Sequence, residues 1–128
     1  MREVLSLAVA GAAGTLSRWA ISGWTYRLLG ERFPFGTLAV NVIGCFLLGF
    51  LMHVALTTEI IPTDWRAPLT VGFLGAFTTF STFSYETMRY LEDSAWWPAL
   101  ANVGTNLVLG LAAVFIGLLS ARMLVGGS

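Results

Sequence analysis

Thr78-Thr79-Phe80-Ser81-Thr82-Phe83-Ser84 lies between Gly72-Phe73-Leu74-Gly75-Ala76-Phe77 and Tyr85-Glu86, and it carries five hydroxyls in seven residues of an otherwise apolar segment. In lipid, each of those groups must find a partner or face water. One or two serines or threonines can return a bond to the carbonyl four residues earlier. Five in so short a stretch exceed that device. Together with Gly75 they predict a local break of the helix near membrane mid-depth. A broken helix presents free carbonyls and amides that bind ions. The carbonyls of Gly75 and Thr78 suit a small cation with no carboxylate beside it.

That the solvent is lipid follows from the rest of the chain. Its 128 residues are 56% hydrophobic and 11% charged, against about 25% charged for a soluble domain. Four segments are long and apolar enough to span, a span needing ~20 such residues. They run over about Val4 to Trp24, Phe35 to Leu56, Pro68 to Tyr90 and Trp96 to Met123. An apolar run after Arg2 can imitate a signal peptide. The run resumes beyond Arg18, however, and three more apolar segments follow, so it reads as a first membrane helix. Pro34, Pro62, Pro68 and Pro98 sit at or near segment edges, and Trp24, Trp65, Trp96 and Trp97 fall where an aromatic belt belongs. The sequence therefore predicts an all-α membrane protein: one domain over residues 1–128 with four transmembrane helices, the third broken near its middle.

Charge placement adds an expectation about assembly. Every cation is an arginine, and the formal net charge is zero, so no basic patch for nucleic acid is present. Four spans put Arg2, Arg66 and Arg122 on one side and Arg27, Arg32 and Arg89 on the other, with Arg18 inside a span. Three against three gives the positive-inside rule no vote. Such a balance is expected of a chain inserted both ways up, whose opposite copies pair as an antiparallel homodimer. An even split of six arginines also arises by chance. Four short helices have little surface left to enclose a polar path, so a transport role implies an oligomer.

Within the third segment, Phe80 and Phe83 are three apart and share a face; Thr79, Thr82 and Glu86 share another. Phenyl rings have a positive edge, so ring edges and hydroxyl donors can line a route for an anion. The alternative for the two phenylalanines is ordinary packing. Asn41 offers amide donors in the second segment, and Arg18 can make a vestibule attractive to anions. Asn102, Thr105 and Asn106 place polarity in the fourth segment. Buried polar groups in membranes are functional candidates, with interhelical hydrogen bonding as the alternative. Glu86 is placed to pair with an arginine, and His53 reads as an interfacial residue. The glycines, among them Gly14, Gly49 and Gly72, read as helix-packing positions. Cys45 is the only cysteine, so neither an intrachain disulfide nor a cysteine metal site can form.

Three motifs then become recognisable: Gly11-x-x-Gly14-x-x-x-Arg18-Trp19, Gly36-Thr37-Leu38-x-x-Asn41-x-x-Gly44, and Gly72-Phe73-x-Gly75-x-x-Thr78-Thr79-Phe80-Ser81-Thr82-Phe83-Ser84-x-Glu86. They resemble the Fluc (CrcB) fluoride channel family over nearly the whole chain. The resemblance implies passive export of cytoplasmic fluoride across the plasma (inner) membrane, which confers fluoride resistance. It implies a dual-topology antiparallel homodimer with two fluoride pores. A central structural sodium ion would be held by the main-chain carbonyls of Gly75 and Thr78 from both copies. Phe80 and Phe83 would be the aromatic box, Asn41 the pore asparagine and Arg18 the first-helix arginine. Thr79, Ser81 and Thr82 would be polar contacts. The chain departs from the pattern at Gly75-Ala76, where many relatives carry Gly-Gly. It departs again in the fourth segment, where Asn106, Gly110 and Val114 stand along a usual hydroxyl track and Thr105 and Asn106 are the nearest substitutes.

A small dual-topology multidrug or cation transporter is the alternative function, and it needs a membrane-embedded carboxylate. Only Glu86 approaches that, and it lies toward a helix end. A structural subunit without transport is a third possibility. An enzyme is not expected, since the sequence offers no nucleophile–base pair and His53 has no partner in view.

Overall fold

The computed structural model describes residues 1–127. The single domain read over 1–128 ends on Ser128, which lies outside the described residues. The described chain is helical, with α1 at Arg2–Leu29, α2 at Phe35–Thr57 and α3 at Thr63–Ala67. A π-helical turn, Pro68–Leu74, leads to α4 at Gly75–Phe77, followed by α5 at Phe80–Glu92 and α6 at Trp96–Val125. Three of these, α1, α2 and α6, are long and apolar enough to cross a membrane.

The ends have local causes. Helix α1 carries Glu3 in its first turn and Arg27 in its last, each complementing the helix dipole. It stops at Gly30, whose φ of +88° favours glycine and whose amide bonds to the Tyr26 carbonyl. Pro34 precedes α2, and Thr58 closes it, with both its amide and its hydroxyl on the Val54 carbonyl. Pro68 has no amide to continue the α ladder from α3, and the chain proceeds as a π turn, a form common at functional sites.

Helix α2 packs along α6, while α1 packs against the π turn and α4. The approach of α2 to α6 is close because glycines face backbone. A Cβ on Gly49 would meet the Val114 carbonyl, and one on Gly117 the Phe46 carbonyl. The fully buried core is small and centres on Val40, Leu74 and Phe77. Large apolar side chains instead cover the outside, including Val4, Leu16 and Trp19 on α1 and Leu107, Leu111 and Phe115 on α6. Such a surface matches hydrocarbon rather than water.

The polar stretch interrupts the helix. Thr78 (ψ 163°) and Thr79 (φ −148°, ψ 118°) are extended between α4 and α5. Gly75 is itself helical, with φ −61° and ψ −35°. The geometric departure therefore falls later than the Gly75–Thr78 stretch suggested, at Thr78–Thr79. His53, near the end of α2, is buried in the fold, and its Nε2 lies 2.8 Å from the Gly126 carbonyl oxygen.

Candidate functional site

The interruption strips α4 of its usual partners. The last four carbonyls of a helix have no intrahelical donor, and here these belong to Gly75, Ala76, Phe77 and Thr78. Arg18 on α1 donates its Nε to the Ala76 carbonyl at 3.0 Å. The amide of Thr79, which a continuous helix would direct at Gly75, is instead accepted by Asn41 Oδ1 at 2.8 Å. Asn41 Nδ2 donates back to the Thr79 carbonyl at 3.1 Å. One side chain of α2 thus holds both main-chain polar groups of Thr79.

Helix α5 starts from the same residue. Thr79 Oγ1 accepts the Thr82 amide at 3.2 Å, a side-chain N-cap. Its hydroxyl also bonds that of Thr82 at 3.0 Å. The cap orients the first turn of α5, which carries Phe80 and Phe83. Their ring centroids are 5.7 Å apart, with planes at 52°. Phe80 is 78% exposed and Phe83 half-buried.

These groups border an open groove of about 490 Å³. Asn41, Gly75, Thr78, Thr79, Phe80 and Phe83 all line it, with Asn106 opposite. The structure therefore brings most of the site residues read from sequence to one place. Ser81 and Thr82 are exposed and are not part of the groove wall, and Arg18 reaches only the Ala76 carbonyl beside it. Among the described residues, no cluster of three or more His, Cys, Asp or Glu is placed to hold a metal.

A second polar cluster lies farther along α5. Glu86 does not pair with an arginine as expected. Its Oε2 accepts the Thr37 hydroxyl at 2.7 Å and the Tyr26 hydroxyl at 3.4 Å, and its Oε1 is buried without a partner. It borders a cleft of about 420 Å³ with Tyr26, Tyr85, Arg89 and Tyr90. Thr37 and Tyr26 come from other helices, 49 and 60 residues away, so spacing along α5 carried no signal for them.

The family model described as CrcB-like protein, Camphor Resistance (CrcB), matches residues 5–118. The chain belongs to the CrcB-like family. Curated relatives agree along its length. A protein of Pelobacter propionicus is 46% identical over 99% of this chain and 98% of its own. One of Geobacter metallireducens is 47% identical over 97% and 100%, and one of Syntrophotalea carbinolica 50% over 95% and 99%. Each is named fluoride-specific ion channel FluC. With this CrcB-like membership and its apolar helices, the chain is a multi-pass membrane protein.

Proposed function

We propose that the protein is a fluoride channel of the inner membrane that lets cytoplasmic fluoride leave passively. The observation that carries this is the near full-length likeness, at 46 to 50% identity, to relatives named fluoride-specific channels. The groove supports it chemically. Phe80 and Phe83 line it, and phenyl ring edges carry partial positive charge, so they could meet an anion without the trapping strength of a lysine. In this proposal the interrupted stretch Pro68–Glu92 is the remaining span, and two copies insert in opposite orientations. Each then closes the other's groove, giving two pores.

A structural sodium ion fits the groups present. Gly75 is exposed on the groove, and the bond of the Thr79 amide to Asn41 frees the Gly75 carbonyl. The Thr78 carbonyl has likewise lost its place in the ladder. Neutral oxygens suit a hard cation. Two carbonyls from one chain leave such an ion underligated, which agrees with a second copy supplying its own pair. When bound, the ion would add positive charge and hold the two interruptions together.

Expression in a bacterial strain lacking its own fluoride exporter tests the proposal. Growth restored in fluoride medium supports it. Unchanged sensitivity, with the protein present in the membrane, refutes it.

A further inference from the structure

Asn102 is completely buried within α6, and removing a partner from a buried polar group in a low-dielectric interior is costly. Its bonds form part of a longer series. The main chain of Thr79 offers one donor and one acceptor, so Asn41 can sit only one way round, with Oδ1 on the amide and Nδ2 on the carbonyl. The second hydrogen of Asn41 Nδ2 goes to Asn106 Oδ1 at 3.0 Å. That turns Asn106 Nδ2 toward Asn102, where it donates to the carbonyl at 2.9 Å and to Oδ1 at 3.1 Å. Asn102 Nδ2 then donates to Thr87 Oγ1 at 3.0 Å, and the Thr87 hydroxyl donates to the Phe83 carbonyl at 2.9 Å.

The series leaves the N-cap of α5 at Thr79, crosses α2 and α6, and returns to α5 at Thr87, whose hydroxyl bonds back within the helix to the Phe83 carbonyl. Reversing the amide of Asn41, Asn106 or Asn102 would set donor against donor or acceptor against acceptor, so the direction chosen at Thr79 is carried through all three. A single interhelical bond tethers two helices. A closed series attached at two points about two turns apart, Thr79 and Thr87, also fixes how the attached helix is rotated about its axis. The first of the turns between those points carries Phe80 and Phe83.

We propose that Asn102 and Asn106 are positioning residues that set the rotation of α5, and with it the Phe80–Phe83 ring pair, through Asn41 and Thr87. For its effect on ion flow the inference rests on the fluoride-channel function; for its structural content it does not. The three amides take the part of a frame, and the rings keep the part of contact with the ion.

The test uses the full chain in lipid vesicles and compares Asn102→Leu, Thr87→Val and Thr87→Ser with the unaltered protein. With fewer channels than vesicles, the fraction of vesicles emptied of fluoride counts active channels, and the rate of emptying measures each one. Asn102→Leu and Thr87→Val should slow each channel roughly tenfold, as for mutations along a coupled network. Thr87→Ser keeps the hydroxyl and should retain the unaltered rate. A fall confined to the fraction emptied would mark a merely structural role and overturn the proposal. Fluorine NMR of para-fluorophenylalanine in place of Phe83 gives a second readout. One sharp line should broaden or split in Asn102→Leu and Thr87→Val and return in Thr87→Ser; an unchanged line in Thr87→Val overturns the proposal. Should Asn102→Leu fail to fold, the Thr87 pair decides. An unaltered protein that passes no fluoride refutes the channel function, while the fluorine line still decides the coupling.

Discussion

Asn41 spends both amide hydrogens and its carbonyl oxygen within its own chain, so its first task is to hold Thr79 where the helix parts. Asn41→Leu removes the partners of a backbone amide and a backbone carbonyl together. Each group left unsatisfied costs about 1–3 kcal/mol, and a lower melting temperature in detergent is expected, with fluoride flux lost. Asn41→Asp keeps the acceptor and should fall between. Phe80→Ile and Phe83→Ile remove the polarised ring edges while keeping apolar bulk. Both should abolish flux at unchanged dimer content by gel filtration; normal flux in either would rule out the aromatic contact. At this scale the sequence was informative about residue type and silent about partners. The hydroxyls of the 78–84 stretch and the lone Asn41 stood out against an apolar background. That Thr79 turns to Asn41, 38 residues earlier, was not legible, because only the folded chain sets them side by side. Glu86 was assigned an arginine by charge, yet Thr37 and Tyr26 reach it first.

Among the helices, the informative element is the divided one. Gly75 and the threonines are visible as disruptive residues and Pro68 as a segment edge, and the sequence placed the disturbance over Gly75 to Thr78, beside the extended Thr78 and Thr79. It did not locate the turning point, because Gly75 tolerates helical angles and Thr78 keeps a helical bond through its amide to the Leu74 carbonyl. The extended geometry begins only where Asn41 outcompetes the ladder. Gly49 was read as a helix-packing position with no partner assigned, whereas Gly117, in the leucine-rich end of α6, was not singled out. Both face backbone of the other helix. Gly49→Ala and Gly117→Ala should each force the helices apart and cost about 1–3 kcal/mol, the range for overpacking. Thermal unfolding in detergent measures it. A melting temperature equal to that of the unaltered protein would show that the contact yields without strain.

For the whole molecule, the spread of apolar side chains over the outside and the small buried core were foreshadowed by composition, since few charges cannot cover a water-facing surface. Assembly is the part that one chain cannot display. Balanced arginines predict insertion in both orientations. Glu3→Cys in a Cys45→Ala background should react with an impermeant thiol reagent equally from each side of the membrane; reaction from one side only would rule out dual insertion. The open groove, with Phe80 and Gly75 bare to one side, predicts that the conducting unit is a pair. Most direct is the efflux of fluoride and chloride from the same liposomes containing the purified protein. Rapid loss of fluoride with chloride retained is the predicted result. Retention of fluoride, or equal loss of both anions, would contradict it.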